Sequence, residues 1–338
     1  MLRSELTIDL GALRRNVRTL LRALDGAELW AVVKAEGYGH GALDAARAAL
    51  EAGAGALCVA TGAEALELRR AFPAARILCM GPVETTRELA DARIELAAAD
   101  AQVPEGLPVH LKLDTGMGRY GLSEVVTPTR DVVALMSHLA TADSDRTFAR
   151  EQIARFDELV RPYRGQLTCH IANSAAALRI PEARFDAARC GVAIYGLSPF
   201  MEDPSVDGLE PVMRWQSHVA QVKLLQPGRS TGYGRSFVAD RPTWIGLVPV
   251  GYADGFRRDL TGTEVLVDGA ARKVIGTVSM DSFAVELDRE VPAGTPVTLL
   301  GDGLLAEAHA RVAGTINYEL VTAVSSDPRR TRREVLDS

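Results

Sequence analysis

A chain of 338 residues is long enough for two domains, although one large α/β barrel can reach about 250 residues by itself. With 47% hydrophobic and 24% charged residues it has ample material for a buried core, and a net charge of −6 gives no support to a nucleic-acid partner. No apolar run reaches the roughly 18 residues of a membrane span, and residues 1–7 lack the apolar core of a signal peptide, so the expected compartment is the cytoplasm.

Along the chain, Ile8-Asp9-Leu10 opens a helix that Asp9 can cap, with Leu10, Leu13, Val17, Leu20, Leu21 and Leu24 at helical spacing. Eight short apolar runs follow, at 29–33, 56–59, 76–80, 94–97, 109–113, 134–137, 167–171 and 191–195, separated by Ala/Leu/Arg-rich helical stretches. This alternation predicts a parallel sheet closed into an eight-stranded (β/α)8 TIM-like barrel, with an open doubly wound sheet as the alternative. Residues 98–108 are too few for a crossover that contains a full helix, and 123–133 is short and interrupted by Pro128, so one flank of the barrel is trimmed.

Near Leu209 the texture changes. Runs at 219–225, 244–250, 264–267, 273–278, 283–287 and 297–300 read as strands separated by turns such as Gln226-Pro227-Gly228 and Asp268-Gly269, with a helix near 306–313. The division is therefore a barrel over 1–209 and an all-β domain over 210–338. The basic cluster Arg329-Arg330-Thr331-Arg332-Arg333 has no aromatic residue interleaved and reads as a solvated terminal segment. Cys58, Cys79, Cys169 and Cys190 are far apart, with no CxxC or Cys/His metal spacing, so reduced buried thiols and no metal are expected.

Lys34 closes the apolar strand Leu29-Trp30-Ala31-Val32-Val33 ahead of a glycine-rich turn. In a barrel, active sites sit at the C-terminal ends of strands. Burial there lowers a lysine's pKa and frees its amine to attack an aldehyde. On position alone, a strand-end lysine reaching into solvent is the plainer reading.

A wider pattern changes that balance. Ala31-Val32-Val33-Lys34-Ala35-x-x-Tyr38-Gly39-His40-Gly41 is followed by His110-Leu111-Lys112-Leu113-Asp114-Thr115-Gly116-Met117-Gly118-Arg119, Met136-Ser137-His138 and His170-Ile171-Ala172-Asn173-Ser174-Ala175. Arg189-Cys190-Gly191-Val192, Gly251-Tyr252-Ala253-Asp254-Gly255 and Ser279-Met280-Asp281 come later. Together these segments closely resemble the alanine racemases over nearly the whole chain.

The resemblance implies an isomerase that racemises L-alanine to D-alanine, supplying peptidoglycan, with pyridoxal 5′-phosphate held by Lys34 as a Schiff base. It assigns Tyr38, Asn173, Ser174, Gly191, Val192 and Tyr318 to the phosphate and cofactor site. Free N–H groups and hydroxyls suit such a dianion. On their own, Asn173-Ser174 would equally be a loop cap and Gly191 a tight turn. Arg189 matches the residue facing the pyridine nitrogen; a permanently charged guanidinium leaves that nitrogen unprotonated and the carbanion short-lived. His170 matches its buttress, or is a core histidine.

Racemisation needs two proton-transfer groups on opposite faces of Cα. Lys34 matches one, and the partner subunit's Tyr252 the other, so the resemblance implies a homodimer with shared active sites. His138 matches a histidine beside the cofactor that, in the family, assists that tyrosine. Arg119, Met280 and Asp281 match substrate-binding positions, the last two contributed across the interface. Lys112 matches a lysine carbamylated in many members; an unmodified Lys112 with a bound anion is the alternative.

Two features depart from the family. Glu36-Gly37 stands where Asn-Ala is usual, either as an exposed turn or as a change in site electrostatics. The trimmed crossovers precede Lys112 and His138, which leaves substrate and rate open. A broader racemase of small amino acids, a non-catalytic pyridoxal-phosphate-binding protein and a decarboxylase are the competing readings. The β domain argues against the binder, and Arg189 against the decarboxylase.

Overall fold

A computed structural model describes residues 3–84, 86–100 and 102–337. The parts of the opening segment, of the 98–108 connection and of the chain end that fall on Met1, Leu2, Ala101 and Ser338 lie outside the described residues, as does Thr85. The chain forms two compact units. Among the described residues no helix is long and apolar enough to cross a membrane.

Strand β1 (Ser4–Asp9) leads into helix α1 (Leu10–Leu24), whose Leu10, Leu13, Val17, Leu20 and Leu24 are all buried, as their spacing predicts. The barrel strands are β2 (Glu28–Val32), β3 (Ala56–Val59), β4 (Ile77–Cys79), β5 (Glu95–Ala98), β6 (Val109–Lys112), β7 (Val132–Met136), β8 (Thr168–His170) and β9 (Ala187–Cys190). They pair in parallel in that order, and β2 closes on β9. Helices α2 (Ala42–Glu51), α3 (Gly62–Ala71), α4 (Arg87–Asp91), α5 (Arg146–Val160) and α6 (Ser174–Arg179) fill the crossovers.

The described residues between β5 and β6, and those between β6 and β7, contain no helix, so the trimmed flank is as expected. The last barrel strand is not. It runs over Ala187–Cys190, while residues 192–195 form a 3-10 turn rather than the expected strand. Arg189 in the middle of Ala-Ala-Arg-Cys disguises a buried strand, and the apolar run that follows is buried as a turn.

Trp30, Val32, Ala56, Cys58, Leu78 and Ala187 pack together inside the barrel. Beside them, the Trp30 ring lies 4.4 Å from His170 and 5.6 Å from His110. Polar groups therefore share the barrel's interior with the apolar ones. All four cysteines are buried and none is in a disulfide.

The second unit continues with β10 (Met213–His218), β11 (Gln221–Leu225), β12 (Ser230–Thr231), β13 (Phe237–Val238), β14 (Thr243–Val248), β15 (Glu264–Val267), β16 (Ala270–Ile275), β17 (Phe283–Leu287), β18 (Pro296–Leu300) and β19 (Thr331–Leu336). Helices α7 (Ala306–Ala313) and α8 (Asn317–Ala323) follow β18. A nine-stranded sheet has the order β11-β14-β17-β16-β15-β18-β10-β1-β19, and β12 pairs with β13 apart from it.

Two expectations are corrected here. The described residues up to Gly11 belong to this unit rather than to the barrel, because β1 pairs with β10 and β19. The basic cluster is not a solvated tail: it opens β19, which runs parallel to β1. Arg332 pairs with Glu5, Arg329 with Asp327, and Arg330 reaches Asp254 at 2.6 Å and Asp281 at 2.7 Å.

Asp254 is fully buried and also accepts from Arg3 and from the Gly251 N–H. Burial opposes its ionisation, but the Arg330 and Gly251 hydrogen bonds and the Arg3 charge hold its carboxyl below the usual range. Removing Arg330 leaves that carboxylate short of a charged donor, a loss of about 2 kcal/mol. Arg330→Ala is therefore expected to lower the thermal unfolding midpoint at neutral pH. Since Asp254 titrates below its unfolded value, the wild-type advantage is present above about pH 4 and is lost as the pH falls below that, through the lowered folded value. Parallel melting curves of the two proteins from pH 7 to pH 3 check this.

Candidate active site

Lys34 lies two residues beyond the C-terminal end of β2, half-buried in the barrel mouth. Burial and then the Arg119 charge hold its amine below the usual lysine range; Glu64 and Cys58 oppose them. The turn that follows is left-handed: Ala35, Glu36, Gly37 and Tyr38 have φ of 52°, 53°, 59° and 55°. L-residues disfavour this conformation by roughly 1–2 kcal/mol each, so only Gly37 adopts it freely. Glu36 is exposed, as a turn residue.

The turn delivers Tyr38 onto the end of β9. Tyr38 stacks on Tyr195 at 5.1 Å, and Tyr195 Oη donates to the Val32 carbonyl at 3.0 Å. Burial pushes the Tyr38 phenol up to about 12, so it stays protonated. A Cβ on Gly191 would sit 2.5 Å from Tyr38 Oη, so only glycine allows this approach. Ser174 Oγ accepts the Gly191 N–H at 3.1 Å and the Ala193 N–H at 3.4 Å. Val192 is buried at the start of the 3-10 turn. Asn173 caps α6, its Oδ1 accepting the Ala176 N–H at 3.0 Å. A glycine, two hydroxyls and a turn of backbone thus converge within the barrel mouth, a cradle of the chemistry that holds a phosphate.

Arg189 enters from β9 and is 4% exposed. Its guanidinium donates to the carbonyls of Ser137 (2.6 Å) and His170 (3.3 Å) and to His170 Nδ1, and its Nη2 lies 3.3 Å from His138 Nδ1. These partners are carbonyls and imidazoles rather than carboxylates. Burial lowers its pKa to about 10, which leaves it a cation at neutral pH.

The tautomers follow from that cation. His170 Nδ1 accepts from Arg189, so Nε2 carries the proton and donates to His110 Nδ1 at 2.9 Å. His110 Nε2 then donates to Glu95 Oε2 at 2.7 Å, and Arg76 Nε donates to Glu95 Oε1 at 2.7 Å. Burial keeps both imidazoles neutral: His110 is lowered against the pull of Glu95, and His170 lies well below its usual value. His138 is pushed down to about 3 by burial and then by Arg189, Arg119 and Lys112. One cation thereby fixes three neutral histidines.

Lys112 ends β6 beneath the trimmed flank, where Met80, Leu96 and Tyr120 line a concavity of about 130 Å³ with it. Burial and then Arg119 and Arg189 lower its amine to about 8. The loop carrying Arg119 is folded by Asp114, whose carboxylate accepts the N–H groups of Gly116 (2.9 Å), Met117 (2.8 Å) and Gly118 (3.0 Å). Arg119 is exposed, and its charge acts on Lys34, Lys112 and His138 alike.

The barrel unit therefore brings together Lys34, Tyr38, Lys112, Arg119, His138, His170, Asn173, Ser174, Arg189, Gly191 and Val192. The remaining expected residues lie in the other unit. There Tyr252 is 45% exposed and Met280 53% exposed, on adjoining turns joined by Tyr252 N–H to Ser279 O and Ala253 N–H to Met280 O. Asp281 pairs with Arg330, and Tyr318 is on α8.

Sequence reasoning passed over Glu64, Glu95, Asp114 and the role of His110. A Thr-x-x-Glu capping signature at Thr61 and charged or polar residues inside apolar strands are the signals that mark three of them. The set fits a phosphate-bearing aldehyde: an amine held below its usual pKa, a cradle that a Cβ would fill, and a buried cation with no carboxylate to neutralise it.

Comparison with known proteins gives the same direction. The family profile described as alanine racemase, N-terminal domain, matches residues 8–199, and that described as alanine racemase, C-terminal domain, matches residues 212–333. Alanine racemase 1 of Bacillus subtilis is 40% identical over 351 residues, covering 94% of this chain and 90% of that protein. A crystal structure of alanine racemase from D-cycloserine-producing Streptomyces lavendulae superposes with a TM-score of 0.91 at 35% identity, covering 100% of this chain and 98% of that one. The alanine racemase of Bacillus anthracis with bound L-Ala-P does so with a TM-score of 0.87 at 32% identity, covering 100% and 96%.

Asparagine tolerates the left-handed region better than glutamate, because its short polar side chain bonds locally. Glu36→Asn is therefore expected to stabilise the protein by about 0.5–1 kcal/mol, read as a rise in the thermal midpoint; an unchanged or lower midpoint contradicts the left-handed turn.

Proposed function

This chain belongs to the alanine racemase family, and on that premise we propose that it interconverts L- and D-alanine with pyridoxal 5′-phosphate held on Lys34. The observation that carries the reading is the pairing, in one barrel mouth, of a half-buried lysine with a buried arginine that has no carboxylate partner. When bound, the cofactor supplies the electron withdrawal that acidifies the substrate's Cα–H. The rest is the work of the chain's own residues.

Lys34 anchors the cofactor and then moves the proton at Cα on one face. Its lowered pKa supports this, since an amine must spend time neutral to accept a proton near neutral pH. Tyr38, Asn173, Ser174, Gly191, Val192 and Tyr318 hold the phosphate end. Arg189 would meet the cofactor's ring nitrogen as a fixed cation that gives up no proton, and so would limit the electron withdrawal the cofactor supplies. His170 positions Arg189. His138, kept neutral with Nδ1 turned to Arg189, has its Nε2–H free to donate to the second base.

That second base is Tyr252, exposed on the β unit, and in this reading it serves the site of a second copy of the chain. The active species is then a homodimer in which each barrel receives the partner subunit's Tyr252, with Met280 and Asp281 at the substrate entrance. Arg119 takes the substrate carboxylate. Lys112, at about 8, has a neutral fraction able to take up carbon dioxide as a carbamate, which would pair with Arg119 instead of repelling it. The product feeds peptidoglycan synthesis in the cytoplasm.

Complementation tests both the chemistry and the sharing. Lys34→Ala is expected to lose the visible absorbance of the lysine-bound cofactor and all racemisation, and Tyr252→Phe to lose racemisation while keeping the absorbance. Mixing the two after dissociation gives heterodimers with one intact site, restoring about one quarter of wild-type activity at statistical pairing. No recovery would mean that Tyr252 does not work in trans, and a wild type without absorbance or turnover would refute the reading.

A further inference from the structure

We propose that Glu64 is a positioning residue for Lys34: its carboxylate pins the left-handed turn that follows the lysine and so sets where the amine and the Tyr38 phenol stand. The inference rests on the reading of Lys34 as the cofactor's anchor.

The turn closes on itself through Gly37 N–H to Val33 O at 3.0 Å, Gly39 N–H to Ala35 O at 3.1 Å and Gly41 N–H to Glu36 O at 2.7 Å. Its first amide, that of Ala35, bonds outside the turn, donating to Glu64 Oε1 at 2.7 Å. That bond lies one peptide unit from the Lys34 Cα. The other oxygen, Oε2, accepts the N–H groups of Ala60 at 2.9 Å and Thr61 at 3.0 Å, just beyond the end of β3. Since β2 and β3 are paired neighbours, one carboxylate spans the tops of two adjacent barrel strands.

Helix α3 puts it there. Thr61 is the N-cap, and its Oγ1 accepts the Glu64 N–H at 3.2 Å while Glu64 returns a bond to the Thr61 N–H. That reciprocal box accounts for one of the three backbone amides on the carboxylate. The Ala35 and Ala60 bonds exceed what capping needs, and the Ala35 bond leads to the lysine.

Burial opposes ionisation of Glu64, but the Ala35, Ala60 and Thr61 amides hold its carboxyl below the usual range, so it is an anion at working pH. An anion with two acceptor oxygens can serve all three amides. A glutamine cannot, because its NH2 would meet a donor on one side. The same charge also favours the protonated Lys34, against burial and Arg119.

The test uses the full chain as wild type, Thr61→Ala, Glu64→Gln and Glu64→Asp. Three quantities are measured: the pyridoxal phosphate dissociation constant by visible titration of apoprotein at several pH values, hydrogen exchange of peptides covering residues 33–41, and the thermal midpoint. Thr61→Ala is expected to lower the midpoint while leaving cofactor affinity within about twofold and the exchange of 33–41 unchanged. Glu64→Gln should weaken cofactor binding about tenfold or more, the factor expected for losing a hydrogen bond to a charged group. It should also speed exchange in 33–41 and move the lysine-dependent limb of the absorbance profile to lower pH.

Glu64→Asp keeps the charge but shortens the reach, so it should speed exchange and weaken binding without moving that limb. If Glu64→Gln loses stability but binds cofactor like wild type, with unchanged exchange and pH profile, Glu64 is only a cap and the proposal fails. A wild type that takes up no cofactor overturns the reading of Lys34 instead, and the exchange data then decide by themselves whether Glu64 holds the turn.

Discussion

The site is organised around a buried cation that no carboxylate neutralises. Burying a guanidinium costs several kcal/mol unless its donors are met, and Arg189 meets them with carbonyls and imidazole nitrogens. That choice dictates much of the barrel interior. His170 must present a bare Nδ1 to Arg189, His110 must do the same to His170, and Glu95 must end the chain by accepting the last N–H. Trp30 covers the two imidazoles, and Arg76 lies 4.5 Å over the Trp30 ring while also bonding Glu95. A positive charge is thus kept in the barrel with hydrogen-bond partners that are all neutral.

Around that charge the barrel presents backbone as much as side chain. The left-handed turn after Lys34 and the glycine after β9 bring Tyr38 against Gly191 at a distance no other residue would permit. Strain in the turn and an uncompensated cation are both costs in stability; the turn follows the end of β2, and the cation stands inside β9, one residue before its end. The apolar packing of Trp30, Val32, Ala56, Cys58 and Leu78 lies directly beneath and holds them in place.

Much of this was legible in the sequence because the barrel strands are short apolar runs between amphipathic helices, and the two helix-free crossovers showed as missing length. The failures have physical causes. The last strand was misplaced by four residues because its central residue is Arg189, and buried charge does not look like a strand. Strand β1 alternates buried and half-buried residues, but Ile8, one of its two apolar residues, was read as opening the helix that follows. The terminal arginines looked solvated because their partners Glu5, Asp254 and Asp281 lie far away in sequence. The residues proposed to touch the cofactor carry the family's motifs. Glu64, marked only by the capping signature at Thr61, and Glu95, a charge in an apolar strand, carry signals of local structure that do not by themselves point to a site.

The central claim, that Lys34 and Tyr252 move a proton on opposite faces of one carbon while Arg189 keeps the carbanion short-lived, is tested most directly by incubating the protein with L-alanine in D2O. Deuterium at Cα and the configuration of alanine are followed in the same sample. The account predicts that D-alanine appears carrying deuterium, and that no keto acid accumulates. Exchange with the L configuration fully retained, or no exchange at all, would contradict it.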